Sequence, residues 1–519
     1  MKNFTALITL LILPFISFTQ EWKKEFPKEV NLIKMTDAGI AIVGTDDALY
    51  GIDDKGNELW SDEKLKKVEA ERVEVLNGSE LVFISDKGLL GTNKILNVNT
   101  GEEYASNGMP GSTVLAARVI HGTNQLWTSP DFKSVNVWDI STNKMMYSFA
   151  KEDLPFTLST NKMATLTATF KGLQPITYMD KNDAILHLTT AHLGRINLLT
   201  GEPTWMFDWK PFKIKKDKGF IASQPSSGFS VMKIDALTNT LYFPFMKQLL
   251  SINTETGVCN WDPKKGGQTG KVKDMYLTKH GILILTEKGV QLVDKKTGEF
   301  KWDKPIKVKG SEEGILIQGK DYFYTVSKGA IVQIDVAKKG AKSLTEKIKF
   351  SGGETFSSLE VIENLIIMSS DQNVVAVNKN SGDIIHQTYL KAPGQGAVAF
   401  SQNMILAAVA IAASANSANL NSNGGNTTGN RNTYHSYTPK VMESGGSATM
   451  STGTTMYVST KFKDADATGF GVAKVDKATG EIQDKIVIGD RDPVYDVNDK
   501  DGLIFYKSDK KTVSMKRIN

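Results

Sequence analysis

Cysteine is almost missing: Cys259 stands alone in 519 residues. No internal disulfide can form, so packing and hydrogen bonds must hold the fold by themselves. A lipid anchor of the bacterial lipoprotein kind is excluded as well, because no cysteine follows the apolar N-terminal stretch. An excess of one charge is also lacking, since 62 basic and 57 acidic side chains leave a formal +5. The lysines of "EKLKKVE" at 63–69 are flanked by Glu63 and Glu69, and "KIKKDKG" at 213–219 reads as a solvated loop. Neither makes the basic face that a nucleic-acid partner requires. Long apolar runs are few. "FTALITLLILPFISF" at 4–18, preceded by Lys2 and followed by "TQEWKKEF", has the layout of a secretory signal peptide. The expectation is a signal over residues 1–20, removed near 17–20, and a periplasmic or secreted mature chain. An uncleaved anchor is the alternative, against which stand Pro14 and a run short of the roughly 20 residues of a spanning helix. "MILAAVAIAA" at 404–413 is about half that length, so no transmembrane segment is expected after signal removal.

Metal-ligand spacing is a further absence. The six histidines are His121, His187, His192, His280, His386 and His435, and none pairs with another at ligand spacing. "DADATG" at 464–469 starts like a calcium loop with Asp464, Asp466 and Gly469. Its twelfth position is Val475, where a bidentate glutamate is required. "DKDG" at 499–502 is shorter still. Cys259 has neither a neighbouring base nor an open site in view, so it reads as a packed thiol. No catalytic, cofactor-binding or metal-binding residue is assigned.

What the chain does have is one element many times over. "ALYGIDDKGNELW" at 48–60 alternates apolar and polar residues, turns at Gly56 and places Trp60 four residues later. The same Asx, turn, glycine and tryptophan order returns with Gly201 and Trp205, Gly257 and Trp261, and Gly298 and Trp302. Weaker copies centre on Gly101, Gly382 and Gly480. Asn143 takes the glycine place in one degenerate copy, and Gly340 falls one residue late in another. An Asx side chain bonds backbone two residues on, and Gly or Asn accepts the positive φ of a hairpin turn. The tryptophan then lies on the returning strand, where its ring covers the join between units while its N–H finds a partner. His386 holds a Trp-equivalent place and reads as packing.

Upstream of the turns lie period-2 hairpins such as "ILILTEKGVQLVD" at 282–294 and "LIIMSSDQNVVAVN" at 365–378. Four strands in roughly 40–50 residues is the size of a propeller blade. At the termini, 503–519 holds two strands without a Trp-bearing one, and 20–26 holds a strand with Trp22 and no hairpin. Joining them would close a ring and remove exposed sheet edges. The fold expected is therefore all-β: a single propeller of four-stranded antiparallel blades over 21–519, closed by strands from both termini. Residues 412–455, dominated by Ser, Asn, Gly and Thr, read as a flexible insertion. Tyr434, His435 and Tyr437 make it a possible contact loop.

"AIVGTDDALYGIDDKGNELW" at 41–60, with the copies at 185–205, 241–261 and 282–302, resembles the pyrroloquinoline-quinone-type (quinoprotein-like) propeller repeat. The family norm implies eight blades, whereas the repeats here count up to ten. The resemblance covers both enzymes and scaffolds, the latter including the propeller subunit of the outer-membrane β-barrel assembly machine. The family's enzymes carry a quinone, a calcium ion, a catalytic aspartate and a pair of adjacent bridged cysteines. Adjacent cysteines are absent here. The expectation is a non-enzymatic scaffold with no cofactor that binds a protein partner in the cell envelope on one face. A sugar- or small-ligand-binding propeller is the alternative, and a quinone-dependent dehydrogenase comes third.

Overall fold

In a computed structural model of the protein, the alternating stretches are strands. The structure describes residues 21–518 except 77, 86–92, 106–113, 115, 120–122, 130–133, 151–174, 179–182, 190–191, 198–199, 201, 208–232, 246–247, 263–265, 268, 309–313, 318–320, 393–448, 465–466, 490–492 and 499. The described residues form eight four-stranded and two three-stranded sheets, and every strand pair is antiparallel between neighbours in sheet order. Helical structure among them is confined to the 3-10 turns Ala70–Arg72 and Ser351–Gly353. No helix there is long and apolar enough to cross a membrane. The all-β expectation holds, and so does the four-stranded meander as its unit.

The chain divides into two compact units, one of residues 1–70, 98–101 and 494–519 and the other of 71–97 and 102–493. In the first, Val30–Met35, Ala41–Thr45, Leu49–Ile52 and Glu58–Asp62 make one sheet. The other joins the two ends of the chain: Trp22–Glu25 pairs with Thr512–Arg517, Trp22 opposite Met515 and Glu25 opposite Thr512. Leu503–Asp509 and Tyr495–Asn498 complete it. Phe26, Val30, Ile33, Val43, Tyr50, Phe505 and Val513 are buried together between these sheets. At roughly 1.5–3 kcal/mol for each large side chain removed from water, this cluster supplies the drive for joining the ends. The buried Asp496 carboxylate fixes the alignment, accepting the Met35 N–H at 2.7 Å.

The second unit carries the remaining sheets in chain order, from Val73–Leu76 to Ile482–Val487. Its cores lie between successive sheets. Tyr242 and Leu249 of one, for example, share a cluster with Met275, Ile282 and Ile284 of the next, and Trp261 lies among them. The two three-stranded sheets lack a full fourth strand, and single bridges Ile252–Cys259 and Val293–Phe300 stand in its place.

One boundary differs from the sequence expectation. The supposed insertion was to reach 455, yet Thr449–Thr452 is a strand pairing with Thr455–Lys463, Thr449 opposite Val458. Its composition hid it, because backbone hydrogen bonds rather than an apolar alternation define it. Tyr434, His435, Tyr437 and the signal-like residues 1–20 lie outside the described residues.

Candidate functional site

The repeated residues come together between sheets rather than around a cleft. Gly56, Gly101, Gly257, Gly298, Gly382 and Gly480 have φ of 85°, 71°, 71°, 73°, 84° and 75°. Gly201 lies outside the described residues. In the fullest copies the Asx side chain organises the turn: Asp294 Oδ1 accepts from Lys296 N at 2.8 Å and Thr297 N at 3.0 Å, and Gly298 N closes onto Asp294 O at 3.0 Å. Asp476, with Ala478, Thr479 and Gly480, repeats this geometry. Burial opposes ionisation of Asp294, but the two amides and Lys301 outweigh it and hold the carboxyl below its ordinary range.

Each docked ring reaches forward to the next turn. Trp22 Nε1 donates to Asp54 O at 2.9 Å, Trp60 to Val98 O at 2.7 Å, Trp205 to Thr254 O at 2.9 Å and Trp261 to Lys295 O at 3.1 Å. The acceptor is always the residue after the Asx, namely after Asp53, Asn97, Asn253 and Asp294. The ring also lies flat on the turn glycine. A Cβ on Gly298 would sit 2.6 Å from the Trp261 ring, and one on Gly257 2.6 Å from that of Trp205. Glycine is needed there for space as well as for φ.

His386 performs the same dock. Its Nε2 lies 3.0 Å from the carbonyl of Lys477, the residue after Asp476, and a Cβ on Gly480 would lie 2.4 Å from its Nδ1. Other copies depart for visible reasons. Ala105 holds the ring position after Gly101, and the Asn143 amide fills the gap, its Oδ1 accepting Ala105 N at 3.0 Å. In the turn facing Trp302 the left-handed residue is Lys339, φ 54°, not Gly340. Trp302 is buried in a cluster with Ile334 and Val336, with no acceptor for its N–H among the described residues.

Two turns carry a second lock. Lys295 Nζ reaches back to Asp235 at 2.7 Å. Lys477, fully buried at 0%, meets Glu360 at 2.9 Å and donates to Gly453 O at 2.9 Å.

On the first strand of its sheet, Asp274 is a polar node. Tyr276 Oη lies against both Asp274 Oδ2 and Gly314 O, and Gly314 N donates to it at 3.2 Å. A phenol has one proton and cannot serve both acceptors. Burial pushes the Asp274 carboxyl above its ordinary range, which allows it to keep a proton and donate. The folded carboxyl therefore binds its proton more tightly than the unfolded one. Its contribution is favourable below about pH 3.9 and is lost as pH rises toward the folded value. Asp274→Asn should accordingly melt higher than the wild type at neutral pH, with the gap closing in thermal melts near pH 4. An equal or lower melting temperature at neutral pH would contradict a protonated Asp274.

The remaining sequence candidates are placed apart. His280 Nε2 pairs with Asp321 at 3.0 Å. His187 and His192 sit on paired strands but not opposite each other, since His187 faces Leu193 and His192 faces Thr189. Lys485 pairs with Asp464 at 2.5 Å, and Asp466 lies outside the described residues. Burial pushes the half-buried Cys259 thiol up. Among the described residues no three of His, Cys, Asp and Glu converge as metal ligands. The Glu354 carboxylate holds the turn at 370–373, accepting Gln372 N at 3.1 Å and Asn373 Nδ2 at 2.9 Å. Beside it the Gln372 side-chain amide, 2% exposed, finds no partner among the described residues.

The outer face of the repeat has a different character. Two or three residues past five of the turns, those at Gly56, Asn143, Gly298, Gly382 and Gly480, the side chains are apolar and exposed: Leu59, Met145, Met146, Phe300, Ile384, Ile385 and Ile482. Sequence alternation did not distinguish these from core positions.

No family model matches the chain, and no curated protein does. Among solved structures it is similar to BamB from Moraxella catarrhalis, with 12% identity, 78% of this chain and 96% of that one covered, and a TM-score of 0.36. The computationally designed Ika8 protein covers 71% of this chain and 98% of its own at 13% identity and a TM-score of 0.33. The dihydro-heme d1 dehydrogenase NirN in complex with DHE gives 10%, 78%, 73% and 0.37 in the same order of identity, coverage and score. Scores this low carry no argument about ligand or partner.

Proposed function

We propose that this chain is an exported, non-enzymatic β-propeller of the quinoprotein-like repeat class that serves as a scaffold for a protein partner in the cell envelope. The observation that carries the reading is that exposed apolar side chains recur two residues past four turns of the second unit, as Met145, Phe300, Ile384 and Ile482. Scattered apolar residues are normal on a surface, but recurrence at one place in a repeat makes a band that a macromolecule can cover. Meanwhile the repeat's best polar groups are already used, the indole N–H in joining sheets and the Asx carboxylate in organising its own turn. The signal-like layout of residues 1–20 supports the export part of this reading, and the paired end strands would serve as the ring's closure.

Photo-crosslinking amino acids at Met145, Phe300 and Ile482 should trap one common partner in cells, whereas equally exposed polar positions such as Lys338 should not. Trapping equal at both sets, or dye-linked substrate oxidation after reconstitution with the quinone and calcium, would overturn the reading. A small polar ligand is the second reading, favoured by the unpartnered Gln372 amide beside Glu354. Saccharide binding that Gln372→Leu abolishes would support it, and a flat calorimetric titration would remove it.

A further inference from the structure

We propose that the outer edge of the strand Ile384–Tyr389 receives an extended segment of the partner as an added strand, and that this segment is apolar at alternate positions and acidic between them. The inference rests on the scaffold reading above and names its surface and the chemistry of its partner.

Ile384–Tyr389 is the fourth strand of its sheet, paired on one side with Asn373–Asn378 and on the other with no described strand. Exposed edges invite pairing, and proteins usually protect them with charge or proline. The other described fourth strands do so. Trp22–Glu25, Glu58–Asp62, Glu103–Tyr104, Lys144–Ala150, Gly340–Ser343 and Ile482–Val487 each contain a charged residue, and Pro203–Met206 begins with proline. The sequence IIHQTY has neither. It is also rich in residues that favour strands.

Alternation sorts its side chains. His386 and Thr388 turn to the Gly480 turn, with Thr388 Oγ1 donating to Gly480 O at 2.9 Å. Ile385 and Tyr389, on the opposite face, are 53% and 37% exposed, and Ile384 is 49% exposed. On the face away from the Gly480 turn, an added strand would find Ile385 and Tyr389 with the polar Gln387 between them, pockets for side chains of the kind strand addition uses.

The charge of the partner follows from the rim. Gln387 Nε2 donates to Lys349 O at 2.8 Å, which sets the segment Lys347–Lys349 beside the strand. Ile348 is buried, whereas Lys347 and Lys349 are exposed, as is Lys391 beyond the strand's end. None of the three lysines has a carboxylate partner among the described residues; of the acidic side chains nearby, Glu346 and Asp383 are exposed and Glu354 is held by its own turn. Complementarity at such a rim selects acidic residues.

The test uses a fluorescein-labelled heptapeptide of alternating glutamate and valine, its lysine–valine counterpart, and a copy of the first methylated on alternate backbone nitrogens. Fluorescence anisotropy with the full chain should show saturable binding of the glutamate peptide that raised salt weakens. The lysine peptide should bind about tenfold or more weakly, and the methylated one not at all. Ile385→Lys should weaken the glutamate peptide by about tenfold or more while leaving the thermal melt unchanged. The double change Lys347→Glu with Lys349→Glu, on exposed positions that the fold does not use, should reverse the preference between the two peptides. No saturable binding, binding indifferent to methylation, or an unreversed preference would overturn the proposal. Should the peptides fail while crosslinking at Phe300 and Ile482 still traps a partner, the edge inference falls and the scaffold reading stands.

Discussion

Glu360→Gln should destabilise the protein by about 3–5 kcal/mol, because it removes the carboxylate that faces a buried ammonium. Lys477 is 0% exposed, and its Nζ meets the Glu360 carboxylate at 2.9 Å and the neutral carbonyl of Gly453. A carbonyl satisfies one donor but cannot offset a full charge taken out of water. The loss should spread along the dock, since the same residue's carbonyl receives His386. Replacing both partners together, Glu360→Leu with Lys477→Met, removes the charge along with its need and should restore most of the stability. Equilibrium urea unfolding of the three proteins checks this. A single variant within about 1 kcal/mol of the wild type would show that Lys477 is solvated after all.

Trp261→Ala should cost a similar amount, about 3–5 kcal/mol, the range for removing a large aromatic from a packed interior. The ring is 4% exposed within a cluster drawn from two successive sheets, and its N–H ends on Lys295 O. Truncation leaves a cavity against Gly298, whose missing side chain cannot help to fill it. Trp302→Ala should cost measurably less, because that ring makes no hydrogen bond among the described residues and no turn glycine has it within van der Waals reach. Chemical denaturation of the pair orders the two docks, and equal losses would mean that packing alone sets the value.

The strands were legible in the sequence because burial of one sheet face imposes a period of two. Where both faces are buried, as in Ile282–Leu285 against Val290–Val293, the period gives way to a run that is apolar but for Gln291, and the bounding turns mark the strands instead. The turns were legible too, since few residues accept a positive φ, and Asn143 at φ 50° shows how asparagine stands in for glycine. What the sequence withheld were the long-range ends of each interaction. The acceptor of Trp205 lies 49 residues away, and that of His386 lies 91 away across a segment of unrelated composition. Nor does alternation separate Lys477, buried and paired, from Lys347, exposed and unpaired, because both are single lysines in polar stretches. The candidate surface was hidden for the same reason. Ile384 and Ile385 look like core until the strand is known to be the last of its sheet.

The account stands on the claim that ring N–H groups of one unit are spent on the next unit's turn. Hydrogen exchange at the tryptophan indoles, followed by NMR on ¹⁵N-labelled protein, tests it most directly. Trp60, Trp205 and Trp261 should exchange slowly, each with its carbonyl acceptor in place, and Trp302 should exchange faster although it is comparably buried. Rapid exchange at the three docked indoles, or a Trp302 as protected as Trp261, would contradict it.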